Sequence, residues 1–279
     1  MTPLYRYRSV VVDDVRTAYI DVGEGPTVVL LHSGEYGASA LLCWEHNIAA
    51  LATRYRVLAP DWLGFGSTDK VFDFVSGRAR RIRHMRRFLE VMDVTSAAFI
   101  GSSMGGGVLS AVAAEHPVVF PVAALVLSSA GGFAPDNASR RALLDYDCTV
   151  ESMRQIVSVI FHDPRWASDD EYVLRRHAAS LEPGAWEACS APRLRRPGEP
   201  ARSSFGQPDR VPYEQITVPT LLVAGADDPL RERGYAAQIA DRLPHGQALV
   251  YSNCAHMPHI EHAQQWNEDV LAFLAKEYA

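Results

Sequence analysis

A serine held between glycines, an acidic pair and a late histidine could together perform acyl chemistry. Gly101-Ser102-Ser103-Met104-Gly105 is a Gly-x-Ser-x-Gly segment. Its middle residue, Ser103, stands where a sharp turn would lift a hydroxyl above the backbone, as a nucleophile elbow requires. Gly101 and Gly105 have no Cβ to collide with neighbouring backbone. A serine hydroxyl is a weak nucleophile at neutral pH; it needs a base, and the base needs a holder. Gly225-Ala226-Asp227-Asp228 supplies two acids, and Cys254-Ala255-His256-Met257-Pro258 supplies an imidazole. Ser103, then Asp227 or Asp228, then His256 is the chain order in which an elbow serine meets its partners. Such chemistry also needs N–H groups aimed at a developing oxyanion. Met104, directly after the serine, is the first expected donor. The loop from His32 offers the second through Gly34, with Glu35 N–H as the alternative. His32 itself is expected to organise that loop rather than act as a second base.

These residues must be presented by strands. The apolar run Ala97 to Ile100 predicts a buried strand before Ser103, and Val108 to Glu115 is helix-compatible after it. Thr27 to Leu31, Tyr55 to Ala59, Ala123 to Leu127, Thr220 to Ala224 and Ala248 to Tyr251 predict further strands. The His32 loop, the Asp-Asp pair and His256 each follow one of them. Short, wholly apolar strands suit a sheet covered on both faces. Helical stretches at Trp44 to Thr53, Ser76 to Met92 and Ala263 to Lys276 alternate with them. The expected class is therefore α/β, with a mostly parallel central sheet and helices on both faces. Tyr7 to Val12 and Val15 to Asp21 predict a hairpin turned at Asp13-Asp14.

From Gly131 to about Pro212 this rhythm lapses. Helix-like pieces appear at Arg140 to Leu144, Val150 to Phe161 and Asp169 to Ser180, followed by a Pro/Arg/Gly-rich stretch from Pro192 to Pro212. The expected organisation is a core over 1–130, an inserted helical cap or lid over 131–212, and the rest of the core over 213–279. The cap's large side chains, Leu144, Tyr146, Ile156, Ile160, Phe161, Trp166, Tyr172 and Trp186, either line a pocket or pack together. Packing is the expectation for most.

Composition bounds the function. The chain has 279 residues, 48% hydrophobic and 22% charged, with a net charge of −6. That balance argues against nucleic acid or an anionic membrane as a partner and leaves a small-molecule substrate. The basic run Arg78 to Arg87 carries Ile82, Met85, Phe88, Leu89 and Met92 at helical spacing, so its arginines are expected on a solvated face. Cys43, Cys148, Cys189 and Cys254 are scattered, which suits reduced thiols in a cytoplasm. Met1 to Arg6 lacks the apolar centre of a signal peptide, and no stretch is apolar enough to span a bilayer. His256, His259 and His262 are spaced like metal ligands, but the expected arrangement is one catalytic base with two helix-start neighbours and no metal. Gly64-Phe65-Gly66 lacks the third glycine of a dinucleotide fingerprint, and no cofactor is expected. Self-association to a homo-oligomer is left open.

The motifs together resemble the α/β-hydrolase superfamily over nearly the whole length outside the insertion. Within it, the sequence is similar to the meta-cleavage product hydrolases, which cleave a carbon–carbon bond in vinylogous 1,5-diketone acids formed by ring fission of catechols. Their oxyanion loop, His-Gly-Gly-Gly-Pro-Gly-Ala, corresponds to His32-Ser-Gly-Glu-Tyr-Gly-Ala38. Their elbow, Gly-Asn-Ser-Met-Gly-Gly, corresponds to Gly101 through Gly106. Their closing motif resembles Cys254 through His262, with Asn267 after it. The resemblance implies the α/β-hydrolase fold and hydrolysis of a 2-hydroxy-6-oxo-dienoate. It selects Asp228 over Asp227, because the family's acid lies three residues after the glycine. It implies a cap arginine for the substrate carboxylate, Arg176, with Arg175 the alternative, and it puts Ser102 and His32 beside the substrate. Ser102 stands where the family has Asn, Met257 where it has an aromatic, and Glu35-Tyr36 where it has Gly-Pro. The last change brings a carboxylate to a site for an anionic substrate. A carboxylesterase or lactonase on the same frame is therefore the alternative function. A hydrolase-like ligand receptor is a rival of another class, and a perhydrolase or haloperoxidase-like activity a further option.

Overall fold

The computed structural model describes residues 5–194, 198 and 205–278. Within the Pro192 to Pro212 stretch, 195–197 and 199–204 lie outside the described residues, as do Met1 to Leu4 and Ala279. β1 (Arg8–Val12) and β2 (Val15–Val22) form an antiparallel hairpin across Asp13 and Asp14, both in the left-handed region that short polar residues tolerate. β3 (Thr27–Leu31) follows. Two short helices, α1 (Ala40–Trp44) and α2 (Ile48–Leu51), lead to β4 (Arg56–Pro60). Then come α3 (Gly77–Val91), β5 (Ala97–Ser102), α4 (Met104–Ala113) and β6 (Val122–Ser128). The sheet runs β1-β2-β4-β3-β5-β6-β7-β8, where β7 is Thr220–Gly225 and β8 is Gly246–Tyr251. From β4 to β8 every pairing is parallel, whereas β2 is antiparallel to both neighbours.

The apolar strands feed two cores because alternate side chains point to opposite faces. Val29 and Leu31 join one cluster with Met85, Phe88 and Leu89 of α3 and Leu109 of α4. Val28 and Leu30 join the other with Trp44, Ile48 and Leu51. That second core is closed by Trp266, Val270 and Phe273 of the last helix (Ala263–Glu277).

Two expectations about helices need correction. The helix predicted over Trp44 to Thr53 is split into α1 and α2. α1 starts early because Ser39 caps it, its hydroxyl accepting from Leu42 N–H at 3.2 Å. It stops before Asn47, whose side-chain amide donates to His259 O and to Asn267 Oδ1, both at 2.9 Å. A tertiary anchor thus overrides local propensity. The helix predicted from Val108 begins at Met104 instead, through three consecutive glycines. Close packing selects two of them: a Cβ on Gly105 would lie 2.2 Å from Leu31 O and one on Gly106 2.3 Å from Ala130 Cβ, while Gly107 faces open space. A Cβ on Gly101 would lie 2.5 Å from Gly106 N.

Between β6 and β7 the described chain is helical: α5 (Ala138–Leu144), α6 (Val150–Ile160), α7 (Arg165–Ser168), α8 (Asp170–Ser180) and α9 (Ala185–Ser190). Met153, Ile156 and Val157 of α6 and Tyr172 and Val173 of α8 are buried in the same cluster as the upper sheet face. After β7 come α10 (Tyr235–Ala240), then α11 (Pro258–Glu261) and α12 (Ala263–Glu277) following β8. Glu261 ties this last region to the insertion. One carboxylate oxygen accepts from His162 N–H (2.7 Å) and Asp163 N–H (3.0 Å), the other from Ala255 N–H (2.7 Å).

Candidate active site

At the carboxyl end of β5 the chain turns through Ser103, with φ 49 and ψ −106. A side-chain-bearing residue holds such a backbone only when its surroundings impose it. Here Ser103 N–H donates to Ser128 O (3.0 Å) on β6, and Gly107 N–H donates to Ser103 O (2.8 Å) as α4 begins. Ser103 Oγ is 2.8 Å from His256 Nε2. His256 follows β8, and its backbone N–H donates to Ile160 O of α6 at 3.0 Å. Its Nδ1 lies 2.7 Å from Asp228 Oδ2, with both side chains almost fully buried. Asp228 Oδ1 accepts from Leu230 N–H at 2.9 Å. Burial pushes the Asp228 carboxyl up, but the His256 imidazole and the hydrogen bonds from His256 and Leu230 hold it below the usual carboxylate range. The carboxylate therefore fixes Nδ1 as the protonated nitrogen and leaves Nε2 free to take a proton from Ser103. Asp227 points elsewhere: its side chain is 47% exposed and faces His162 at 3.4 Å.

The residues expected to supply oxyanion N–H groups line the same cavity. Met104 is the first residue of α4, so its N–H precedes the helix's own hydrogen-bond ladder. Gly34 lies against it, since a Cβ there would come within 2.6 Å of Met104 Sδ. Gly34, Glu35, Ser103, Met104 and His256 all line one cavity of about 800 Å³. A cavity of this size takes a small organic acid or ester.

Three expected substrate contacts are corrected. Ser102 is fully buried and does not line the cavity; its hydroxyl has no hydrogen-bond partner among the described residues. His32 is also fully buried and outside the lining. Its Nδ1 donates to Ser33 O (2.6 Å), and its Nε2 accepts from Trp62 N–H (3.0 Å). Burial pushes its pKa down to about 4, so it stays neutral and holds the loop. Arg176 is 1% exposed and absent from the lining. Its Nη1 donates to Glu35 Oε1 and its Nε to Tyr172 Oη, both at 2.9 Å. Burial pushes the Glu35 carboxyl up, but the Arg176 charge together with hydrogen bonds from Arg176, Ser33 and the backbone holds it below its usual range. Arg175, the alternative, pairs with Glu45 on the surface.

Sequence reasoning missed the cavity's arginines. Arg78 and Arg81 were expected on a solvated face, yet both line the cavity, as do Arg140, Arg193 and Arg231. Helical periodicity finds the face of α3 that packs on the sheet. It cannot tell solvent from a cavity roofed by a distant segment. Of the insertion's large side chains, Leu144 and Ile160 line the cavity, whereas Tyr146, Ile156, Phe161 and Tyr172 pack in the core. Among the described residues no group of three His, Cys, Asp or Glu side chains is arranged to hold a metal ion. His259 lies in a buried cluster, its Nδ1 3.3 Å from Ser128 Oγ, and His262 Nε2 lies 3.1 Å from Asn253 O.

Known proteins share this arrangement of elements. The family model for the alpha/beta hydrolase fold matches residues 26–263. The 2-hydroxy-6-oxo-6-(2'-aminophenyl)hexa-2,4-dienoic acid hydrolase of Metapseudomonas resinovorans is 31% identical over 276 residues, covering 98% of this chain and 92% of that protein. A 2-hydroxymuconate semialdehyde hydrolase of Pseudomonas sp. (strain CF600) is 30% identical over 273 residues, covering 96% and 94%. Among solved structures, a meta-cleavage product hydrolase from Pseudomonas fluorescens superposes with a TM-score of 0.85 at 27% identity, covering 96% of this chain and 97% of that one.

Proposed function

The chain belongs to the α/β-hydrolase family, and from that premise we propose that it is a serine hydrolase cleaving a carbon–carbon bond in a 2-hydroxy-6-oxo-dienoate-type ring-fission product. The observation that carries this reading is the hydrogen-bonded series Asp228–His256–Ser103, which opens on a cavity roofed by the insertion. The dienol first ketonises, so that the departing carbon can leave as a stabilised carbanion equivalent. Ser103 Oγ attacks the remote carbonyl while His256 Nε2 takes its proton. Met104 and Gly34 N–H groups hold the oxyanion, with Glu35 N–H the neighbouring donor. His256 passes the proton to the departing carbon as the C–C bond breaks. Water then attacks the acyl-serine through the same histidine. Its hydroxyl ends in the new carboxylic acid, and its remaining proton restores Ser103.

In this reading 131–212 is the cap, flanked by core segments 1–130 and 213–279. The substrate is a small molecule. Four scattered cysteines, none in a disulfide, support a cytoplasmic enzyme. Among the described residues no helix is long and apolar enough to cross a membrane.

One observation favours a second reading, carboxylic ester or lactone hydrolysis on the same residues. Glu35 already occupies Arg176, the arginine that the family resemblance assigned to a substrate carboxylate. Purified protein mixed with a panel of 2-hydroxy-6-oxo-dienoates, with short aryl esters in parallel and Ser103→Ala as control, separates the two. Loss of visible absorbance much faster than ester cleavage is the expected result. Ester turnover with intact dienoates would give the second reading its place. Full activity in Ser103→Ala would overturn both.

A further inference from the structure

The cavity above Ser103 holds guanidinium groups that the triad does not use. Five arginines line it, and among the described residues none of the five is in an ion pair with a carboxylate. Two of them stand beside the triad. Arg231 lies three residues after Asp228, and its Nε and Nη2 both donate to Ser129 O, at 3.2 and 3.1 Å. Arg140, on α5, reaches the same loop, where its Nη2 donates to Leu230 O at 2.7 Å. Arg140 is only 7% exposed, and its Nε is buried without a hydrogen-bond partner among the described residues. A buried guanidinium left partly unsatisfied costs free energy that a bound anion would recover. Burial, and next the Arg231 charge, push the Arg140 guanidinium down to about 10. The Asp228 charge offsets part of this, but both its oxygens are already engaged, one with His256 and the other with Leu230 N–H.

Arg176 offers the contrast. Its donors meet Glu35 and Tyr172. An anion arriving there would have to displace Glu35 and strand a buried carboxylate. We propose that Arg140 and Arg231 form the carboxylate-binding subsite of this cavity, and that Glu35 withdraws Arg176 from substrate binding. The identity of the substrate rests on the function proposed above; the existence of the subsite does not. Two guanidiniums converging from α5 and the Asp228 loop suit a planar carboxylate, which can take hydrogen bonds on both oxygens.

The test uses Arg140→Met and Arg231→Gln in the full chain, each read in two ways. The first is the dissociation constant of a 2-hydroxy-6-oxo-dienoate in the Ser103→Ala background. The second is the ratio of kcat/KM for the mono-4-nitrophenyl ester of glutaric acid to that for 4-nitrophenyl valerate, which lacks the charge. Each variant is expected to weaken dienoate binding and to lower the ratio by about tenfold, the effect of losing one charge-assisted hydrogen bond. Arg83→Met, on an exposed side chain away from the cavity, should change neither. Wild-type affinity and ratio in Arg231→Gln would overturn the proposal, whether or not Arg140→Met folds. So would a loss confined to Arg176→Met. If wild-type protein neither binds nor cleaves dienoates, the carbon–carbon reading fails on its own, and the ester pair still decides the subsite.

Discussion

Ser103, the nucleophile of the proposed function, also carries a backbone cost. At φ 49 and ψ −106 an L side chain is outside the broad allowed regions, and such a conformation costs about 1–3 kcal/mol. Removing the hydroxyl and removing the strain are therefore separable. Ser103→Ala loses the nucleophile and keeps the Cβ. Ser103→Gly loses both, and against the relieved strain stands about 0.5–1 kcal/mol of added chain entropy in the unfolded state. Both variants should lose about 10⁶ in kcat. Ser103→Gly should be more stable than Ser103→Ala by about 1 kcal/mol, the surplus of strain relief over entropy. Urea unfolding midpoints of the two variants measure this, and a Ser103→Gly midpoint below that of Ser103→Ala by the full entropy cost would mean that the turn is unstrained. The serine, the histidine and the acidic pair were all legible in the sequence because each type is chemically distinctive and each follows a strand. Choosing Asp228 over Asp227 needed either the family resemblance or three dimensions. Only the fold shows that Asp228 is buried against His256 while Asp227 is half exposed beside His162.

Between elements, local pattern and tertiary contact part company. The core strands were readable because strands covered on both faces are wholly apolar, and the loops at their carboxyl ends fell into place with them. The break between α1 and α2 and the start of α4 were not, since the Asn47 anchor on His259 and Asn267 and the packing of Gly105 and Gly106 against Leu31 and Ala130 are decided by neighbours distant in sequence. The pair formed by Glu35, in the loop after β3, and Arg176, on α8, is a further case: 141 residues separate them, and no local signal joins them. It fastens the loop after β3 to α8 with side chains that are 5% and 1% exposed. The Glu35 carboxyl lies below its ordinary pKa in the folded chain, so its contribution to stability is present above the ordinary carboxylate range and is lost as pH falls through the depressed value. Glu35→Gln leaves the Arg176 charge buried without its partner and should cost about 3–5 kcal/mol at neutral pH. The difference from wild type should then narrow below about pH 4, as wild-type Glu35 takes up its own proton. Urea unfolding of the two proteins between neutral and acid pH follows this, and a difference independent of pH would show that the pair is not ionised.

At the scale of the molecule, charge is segregated. The chain as a whole is anionic, with a net charge of −6, yet arginines from α3, α5, the loop after β7 and the turn after α9 converge on one cavity. Far from the protein an anionic substrate meets weak repulsion. Inside the cavity it meets several cations within a few ångströms, across walls of low dielectric that concentrate the field. The near interaction dominates, because Coulomb energy falls with distance and the surface charges are dispersed and solvated. Salt weakens both effects, but it removes more from the larger one. For a carboxylate-bearing substrate kcat/KM should therefore fall as potassium chloride rises from about 0.01 M to about 0.5 M, by roughly three- to tenfold. A neutral aryl ester should show a flat profile over the same range. Arg231→Gln should make the anionic profile shallower without tilting the neutral one, because it removes one of the converging charges. An anionic profile that rises with salt would mean that the net negative surface, rather than the arginine-lined cavity, governs how substrate reaches Ser103.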